Sequence, residues 1–123
     1  MDENMRVLVC GGRDFNDIDL LYSTLDEFHR DFTIDVIIQG CAKGADQLAG
    51  RWAESRDITQ DQYPAKWGVY GRSAGYKRNT QMLVEGKPDI VIAFPGGRGT
   101  AMMMDIARRA DVHVIDIEEK EDV

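Results

Sequence analysis

Asp89-Ile90-Val91-Ile92-Ala93-Phe94 is apolar at five consecutive positions from Ile90 and runs directly into Pro95-Gly96-Gly97-Arg98-Gly99-Thr100. A strand with one face in water alternates apolar and polar residues, whereas a strand covered on both faces does not. DIVIAF therefore reads as a core strand in a sheet with helices on both sides. Working outward, Met5 to Cys10 and Ile34 to Gln39 (IDVIIQ) have the same character. Ile58 to Tyr63 is polar and belongs nearer an edge, and Val112 to Ile115 reads as a last strand. Between these runs the apolar period becomes helical. Ile18, Leu21, Leu25, Phe28 and Phe32 form one stripe, with Asn16 or Asp17 placed to cap its start. Ala45, Leu48, Ala49, Trp52 and Ala53 form a second, and helices follow from about Ala74 to Glu85 and from Gly99 to Ala110. The order β-α-β-α-β-α-β-α-β predicts an α/β fold, a three-layer α/β/α sandwich around a mostly parallel sheet of about five strands.

The 123 residues suffice for one domain with its own core. Residues 1–115 read as that single domain and 116–123 as an acidic C-terminal tail. A 43% hydrophobic and 30% charged composition is that of an ordinary globular chain. No apolar run approaches the roughly 20 residues a membrane helix needs. Met1-Asp2-Glu3-Asn4 is acidic, unlike the basic start of a signal peptide. Two cysteines, Cys10 and Cys41, are too few for a disulfide framework, so a reduced, cytoplasmic protein is expected. The formal charge of −7 weighs against general nucleic-acid binding, which needs phosphate neutralisation. Of that charge −4 falls in residues 116–123 and −3 in the rest.

In parallel α/β sheets ligands bind at the carboxyl ends of the strands. The four segments there, 11–16, 40–46, 64–79 and 95–100, hold ten of the twelve glycines. They also hold seven cations (Arg13, Lys43, Lys66, Arg72, Lys77, Arg78 and Arg98) against two acids, Asp14 and Asp46, a net +5. Glycine lets backbone N–H groups approach a ligand, and the helix starts behind these loops add positive dipole ends. The combination suits a small anionic molecule such as a nucleotide. Gly11, Gly12, Gly40, Gly44, Pro95, Gly96, Gly97, Gly99 and Thr100 supply the candidate backbone cradle. Gly96, Gly97 and Thr100 bind a phosphate on this reading, or else form a tight turn and helix cap. Arg13, Lys43 and Arg78 are candidate anion contacts, with ion pairing or a solvated face as their alternatives. Asn79 can read a base or sugar edge. Asp46 caps a helix start or touches the ligand, and Asp14 braces its turn. Trp67 stacks on a base, covers the site or packs under its loop. Trp52, His29 and His113 are assigned to structure, as are both cysteines, which have no evident base beside them. Met102, Met103 and Met104 read as core and a dimer face.

No P-loop, G-x-G-x-x-G or metal-ligand spacing is present, so neither a resident cofactor nor a metal is expected. The segment Pro95-Gly96-Gly97-Arg98-Gly99-Thr100 after an apolar strand resembles the phosphate loop of the SLOG superfamily. That superfamily includes the Lonely Guy phosphoribohydrolases, lysine-decarboxylase-like proteins, DprA and YpsA. Gly11-Gly12-Arg13-Asp14-Phe15, Gly40-Cys41-Ala42-Lys43-Gly44-Ala45-Asp46, Pro64-Ala65-Lys66-Trp67, Ala74-Gly75 and Arg78-Asn79 narrow the resemblance to the YspA-type, cpYpsA-related SLOG branch. The resemblance spans roughly residues 5–115. It implies a Rossmann-like domain that binds or senses a nucleotide-derived ligand, such as an ADP-ribose-like one, and assembles as a homodimer or larger.

The enzymatic relatives set a sharper expectation. Lonely Guy enzymes cleave the N-glycosidic bond of a nucleoside monophosphate and carry a glutamate just after P-G-G-x-G-T. Here Ala101, Met102, Met103 and Met104 follow, and Asn79 stands where the pattern has lysine. A cationic ribosyl centre wants a carboxylate that methionine cannot supply, and Asp105 falls on another helical face. The expected function is therefore ligand binding, as a sensor or sequestering protein, with no catalytic residue assigned. The alternatives are an N-glycosidic-bond hydrolase using Asp14 or Asp46, and single-stranded DNA binding of the DprA kind, which the acidic charge opposes.

Overall fold

A computed structural model describes residues 5–118. The order is β1 (Met5–Cys10), α1 (Ile18–Phe32), β2 (Ile34–Gln39), α2 (Ala45–Ser55), β3 (Thr59–Gln62), α3 (Trp67–Tyr70), α4 (Ala74–Val84), β4 (Ile90–Ala93), α5 (Arg98–Arg109) and β5 (His113–Asp116). A 3-10 turn at Gly71–Ser73 joins α3 to α4. The five strands form one all-parallel sheet in the order β3-β2-β1-β4-β5. The fold is the expected Rossmann-like three-layer α/β/α arrangement.

Alternate residues of each strand point to opposite faces, and this builds two separate cores. Val7 and Val9 of β1, with Ile37, Ile90 and Ile92, pack against Leu21, Leu25 and Phe28 of α1 and Leu48, Ala49 and Trp52 of α2. Leu8 and Cys10, with Val36, Ile38, Val91 and Ala93, pack against Met82 of α4 and Met103 and Ala107 of α5. Burial on both faces is why these strands carry no polar alternation. The polar strand β3 lies at the sheet edge, and β5 forms the other edge.

Helix α1 starts at Asp17, whose carboxylate accepts the Leu20 amide at 3.0 Å. Its apolar stripe is shorter than the sequence implies: Ile18 and Phe32 are exposed. Phe32 packs instead on Phe28 with ring centroids 4.9 Å apart. Trp52 is fully buried, and its indole N–H donates to Asp26 at 2.9 Å. Arg56 donates to both oxygens of Asp26 at 3.0 and 2.7 Å and lies over the Tyr22 ring. Asp26 thus clasps α1 to α2, and this bidentate pair holds its carboxyl below the usual range. His29 Nδ1 accepts the Ile34 amide at 2.9 Å, so its role is structural.

Three readings need adjustment. The segment after β3 contains α3 and the 3-10 turn, not only loop; neither has a buried residue, so no apolar period marks them. Cys41 is exposed with φ 62°, whereas Cys10 is buried. Strand β5 reaches Asp116, and the Ile117 amide bonds to Ala93 O at 2.8 Å, so chain order continues into the acidic segment. Residues 119–123 of the expected tail lie outside the described residues.

Replacing Trp52 tests the α1–α2 face. Trp52→Ala should lower unfolding free energy by about 3–5 kcal/mol, as expected for truncating a buried large side chain. Trp52→Phe, which loses the Asp26 hydrogen bond and part of the ring volume but keeps an aromatic in the core, should cost less than the alanine variant, about 1–3 kcal/mol, in the same urea titration followed by circular dichroism.

Candidate functional site

The chain leaves β1 toward β2 and β3, then returns to the other side of β1 as β4. The crevice between the carboxyl ends of β1 and β4 is thus the topological switch point. The β1–α1 loop and the β4–α5 loop border it, and the β2–α2 loop lies alongside.

These loops touch backbone to backbone. The Gly12 amide donates to Pro95 O at 2.9 Å, and the Ala45 amide donates to Gly12 O at 3.2 Å. Contact at this range explains several glycines. A Cβ on Gly11 would lie 2.6 Å from the Ala45 methyl, and one on Gly12 would lie 3.0 Å from Pro95 O. Gly44 has φ +80°, and a Cβ there would collide with Gly12 O. A Cβ on Gly40 would meet the Arg78 guanidinium, and one on Gly96 would meet the Thr100 hydroxyl. Gly11, Gly12, Gly44 and Gly96 are accordingly needed for the strand-end segments to pack on one another, and Gly40 makes room for Arg78. Gly97 and Gly99 differ, because open space surrounds the position of a Cβ at each.

Those two glycines frame the start of α5. Gly97 is its N-cap and offers no side chain to the first turn. The amides of Arg98, Gly99 and Thr100 have no acceptor among the described residues, whereas Ala101 N–H already bonds to Gly97 O at 3.0 Å. Uncapped first-turn amides at the positive end of a 12-residue helix favour an anion. Thr100 is 6% exposed, and its hydroxyl makes no hydrogen bond among the described residues. It lines two clefts, one of about 680 Å³ toward β5 and one of about 140 Å³ toward α4.

Arg78 and Asn79 project from α4 into the smaller cleft. Arg78 donates to Gly40 O and, through Nε, to Asn79 Oδ1 at 2.9 Å. Asn79 is buried, and its amide donates to Gly99 O at 3.3 Å, with Met102 S 3.4 Å away. The pair therefore stitches α4 to the β2 and β4 loops, and Asn79 has its polar atoms engaged within the chain. Arg78 is half-buried, which disfavours its charge.

Asp46 faces the same cleft from α2 and is 6% exposed. It does not cap its own helix; Oδ2 accepts the Ala42 amide of the preceding loop at 3.2 Å. Burial pushes its carboxyl up to about 6, against opposing effects of the Ala42 amide, Arg78, the Gly40 amide and Arg13. Cys10 lies in the same cleft, and burial raises its thiol far above the ordinary value, so it is no thiolate. Asp14 is exposed and accepts no side-chain hydrogen bond among the described residues, so it does not brace the turn.

A third cleft, of about 520 Å³, opens toward β2 and β3 and is lined by Lys43, Arg78, Arg13 and Trp67. Trp67 is exposed at the start of α3 and rests against Gly75, where a Cβ would come within 3.4 Å of its ring. The Arg13 guanidinium lies over that ring at 5.4 Å. Arg13 makes no ion pair among the described residues and borders all three clefts. The structure thus gathers every candidate residue along one edge. What sequence spacing left unseen is the burial of Asp46 and Asn79, and the Arg13–Trp67 pair, which joins residues 54 positions apart.

The model of the YspA, cpYpsA-related SLOG family matches residues 5–70. That stretch runs from β1 through α3 and includes the first two glycine loops and Trp67. Gene 61 protein of Mycobacterium phage D29 is 37% identical over an alignment of 123 residues, covering 94% of this chain and 98% of that protein.

Two variants separate buried charge from packing at this edge. Asp46 titrates near 6 in the fold against an ordinary 3.8, so the folded state alone stays protonated between those values. Stability from this group is present below about pH 4 and is lost as pH rises through about 6. Asp46→Asn removes that loss, so it should melt above the parent at pH 7.5 and converge with it at pH 4. Gly44→Ala should melt well below the parent at every pH, because strain and the Gly12 clash are independent of charge.

Proposed function

The chain belongs to the YspA, cpYpsA-related SLOG family, and from that premise we propose that it binds a nucleotide or nucleotide-derived ligand at the β1–β4 switch point. The observation that carries this reading is the start of α5. Three amides without acceptors and a Thr100 hydroxyl without a hydrogen bond among the described residues meet open space at Gly97 and Gly99 there. A phosphate supplies the acceptors that turn lacks. Arg13, Lys43 and Arg78 add positive charge along the neighbouring cleft, and the exposed Trp67 offers a ring face for a base or sugar. Asn79 and the tightly packed glycines shape the site and leave ligand contact to these groups. With the carboxylate after the loop replaced by methionine, the reading is a sensor or sequestering protein for nucleoside phosphates or ADP-ribose-like molecules.

One observation favours a second reading. Asp46 places a buried carboxyl that titrates near 6 in the same cleft as Arg78, Gly97 and Thr100. A carboxyl so poised can donate or accept a proton at neutral pH. An N-glycosidic-bond hydrolase would use it in place of the missing glutamate.

Gly99→Asp tests the first reading. The added carboxylate meets open space and suits a helix N-terminus, so the melting temperature should hold or rise. It also occupies the anion position, so calorimetric titration with AMP, ADP and ADP-ribose should show at least a tenfold weaker affinity than the parent. Equal affinity in both proteins would remove α5 as the phosphate site. Chromatography of the same mixtures tests the second reading: free base released by the parent and not by Asp46→Asn would establish turnover, and intact ligand would exclude it.

A further inference from the structure

Two clefts along this edge carry opposite charge. The cleft toward β2 and β3 is lined by Lys43, Arg78 and Arg13 against one acid, Asp14. The larger cleft toward β5 is lined by Asp14, Asp116 and Glu118 against one cation, Arg13. Its remaining walls include Phe15, Ala101, Met104 and Ile117. The start of α5 lines the acidic cleft and, on its other side, the small cleft that holds Asp46, with Thr100 nine-tenths buried and its hydroxyl making no hydrogen bond among the described residues. Arg13, Ala42 and Arg78 line both that small cleft and the basic one, which makes the two continuous. None of Asp14, Asp116, Lys43 or Arg13 is in an ion pair among the described residues, so the asymmetry is not cancelled locally.

We infer that the site is polarised and selects a ligand with its anionic group at one end only. The phosphate lies at α5 and the basic cleft, and the other end, neutral or cationic and bearing hydrogen-bond donors, lies in the acidic cleft. This rests on the nucleotide reading above and narrows it. Carboxylates accept hydrogen bonds and repel a second anion. The apolar walls suit a flat ring such as an amino- or amide-bearing base. A nucleotide whose base itself carries a carboxylate meets Asp14, Asp116 and Glu118 at that end and is rejected. The rejection is electrostatic at a solvent-open surface, so salt weakens it.

Matched nucleotides that differ only in a carboxylate on the base provide the test. UMP is paired with orotidine 5′-monophosphate, and NAD with nicotinic acid adenine dinucleotide, in calorimetric titrations at low salt. The neutral-base member of any pair that binds should bind at least fivefold more tightly than its carboxylate partner. That ratio should fall toward unity in 0.5 M NaCl and in the double variant Asp116→Asn, Glu118→Gln, which leaves the phosphate end intact. Equal affinities within a pair would overturn the polarity while leaving the nucleotide reading standing. A preference that survives both high salt and the double variant would also overturn it, by showing that shape and not charge discriminates. No binding by UMP, NAD or AMP would remove the nucleotide reading and this inference together.

Discussion

The hydrogen bonds on Gly12 are the constraint on which the rest of the carboxyl edge depends. Its amide holds Pro95 and its carbonyl holds Ala45, so one residue ties the β1, β2 and β4 loops together. The ties are short enough that Gly11, Gly12 and Gly44 have no room for a side chain. Because β1 lies between β2 and β4, its loop can reach the loops of both. Once the three loops are joined, the start of α5 is fixed beside the start of α2, and a narrow cleft opens between them.

Charge in that cleft follows from the same packing. Asp46 is driven below the loop surface, and its carboxyl rises to about 6 because burial outweighs the amide and arginine contacts. Arg78 is held by Gly40 and Asn79 and so stands as a wall of the cleft. Arg13, in contrast, makes no ion pair among the described residues and lies over the Trp67 ring, so its guanidinium donors are open to a ligand. The fold therefore separates groups that build the edge from groups that are free to act at it.

Much of this was legible in the residues alone. DIVIAF and its two companion strands reported burial on both faces, and the stripes of Leu21, Leu25, Phe28 and of Ala45, Leu48, Trp52 located the helices. Both readings work because strand and helix periods are local properties. The short α3 has no apolar period because it buries nothing, and periodicity alone does not show that Ile18 and Phe32, at the ends of their stripe, are exposed. The glycine-rich loops were legible as a group, yet the separate reasons for each glycine were not. Gly44 and Gly99 look alike in a sequence; one is crowded by Gly12 and the other faces open space.

By itself the sequence determined the layers, the parallel sheet, the edge at which glycine and positive charge collect, and the absence of the glutamate expected after the phosphate loop. Each of these depends on residue type and on spacing along the chain. Only the tertiary structure decided which polar groups are spent and which are free. It turned Asn79 into a strut, buried Asp46, left the first-turn amides of α5 without acceptors among the described residues, and set Lys43 and Arg78 in one cleft and Asp116 and Glu118 in another. The physical reason is that desolvation, hydrogen-bond satisfaction and local charge are set by contacts between strand-end loops far apart in sequence.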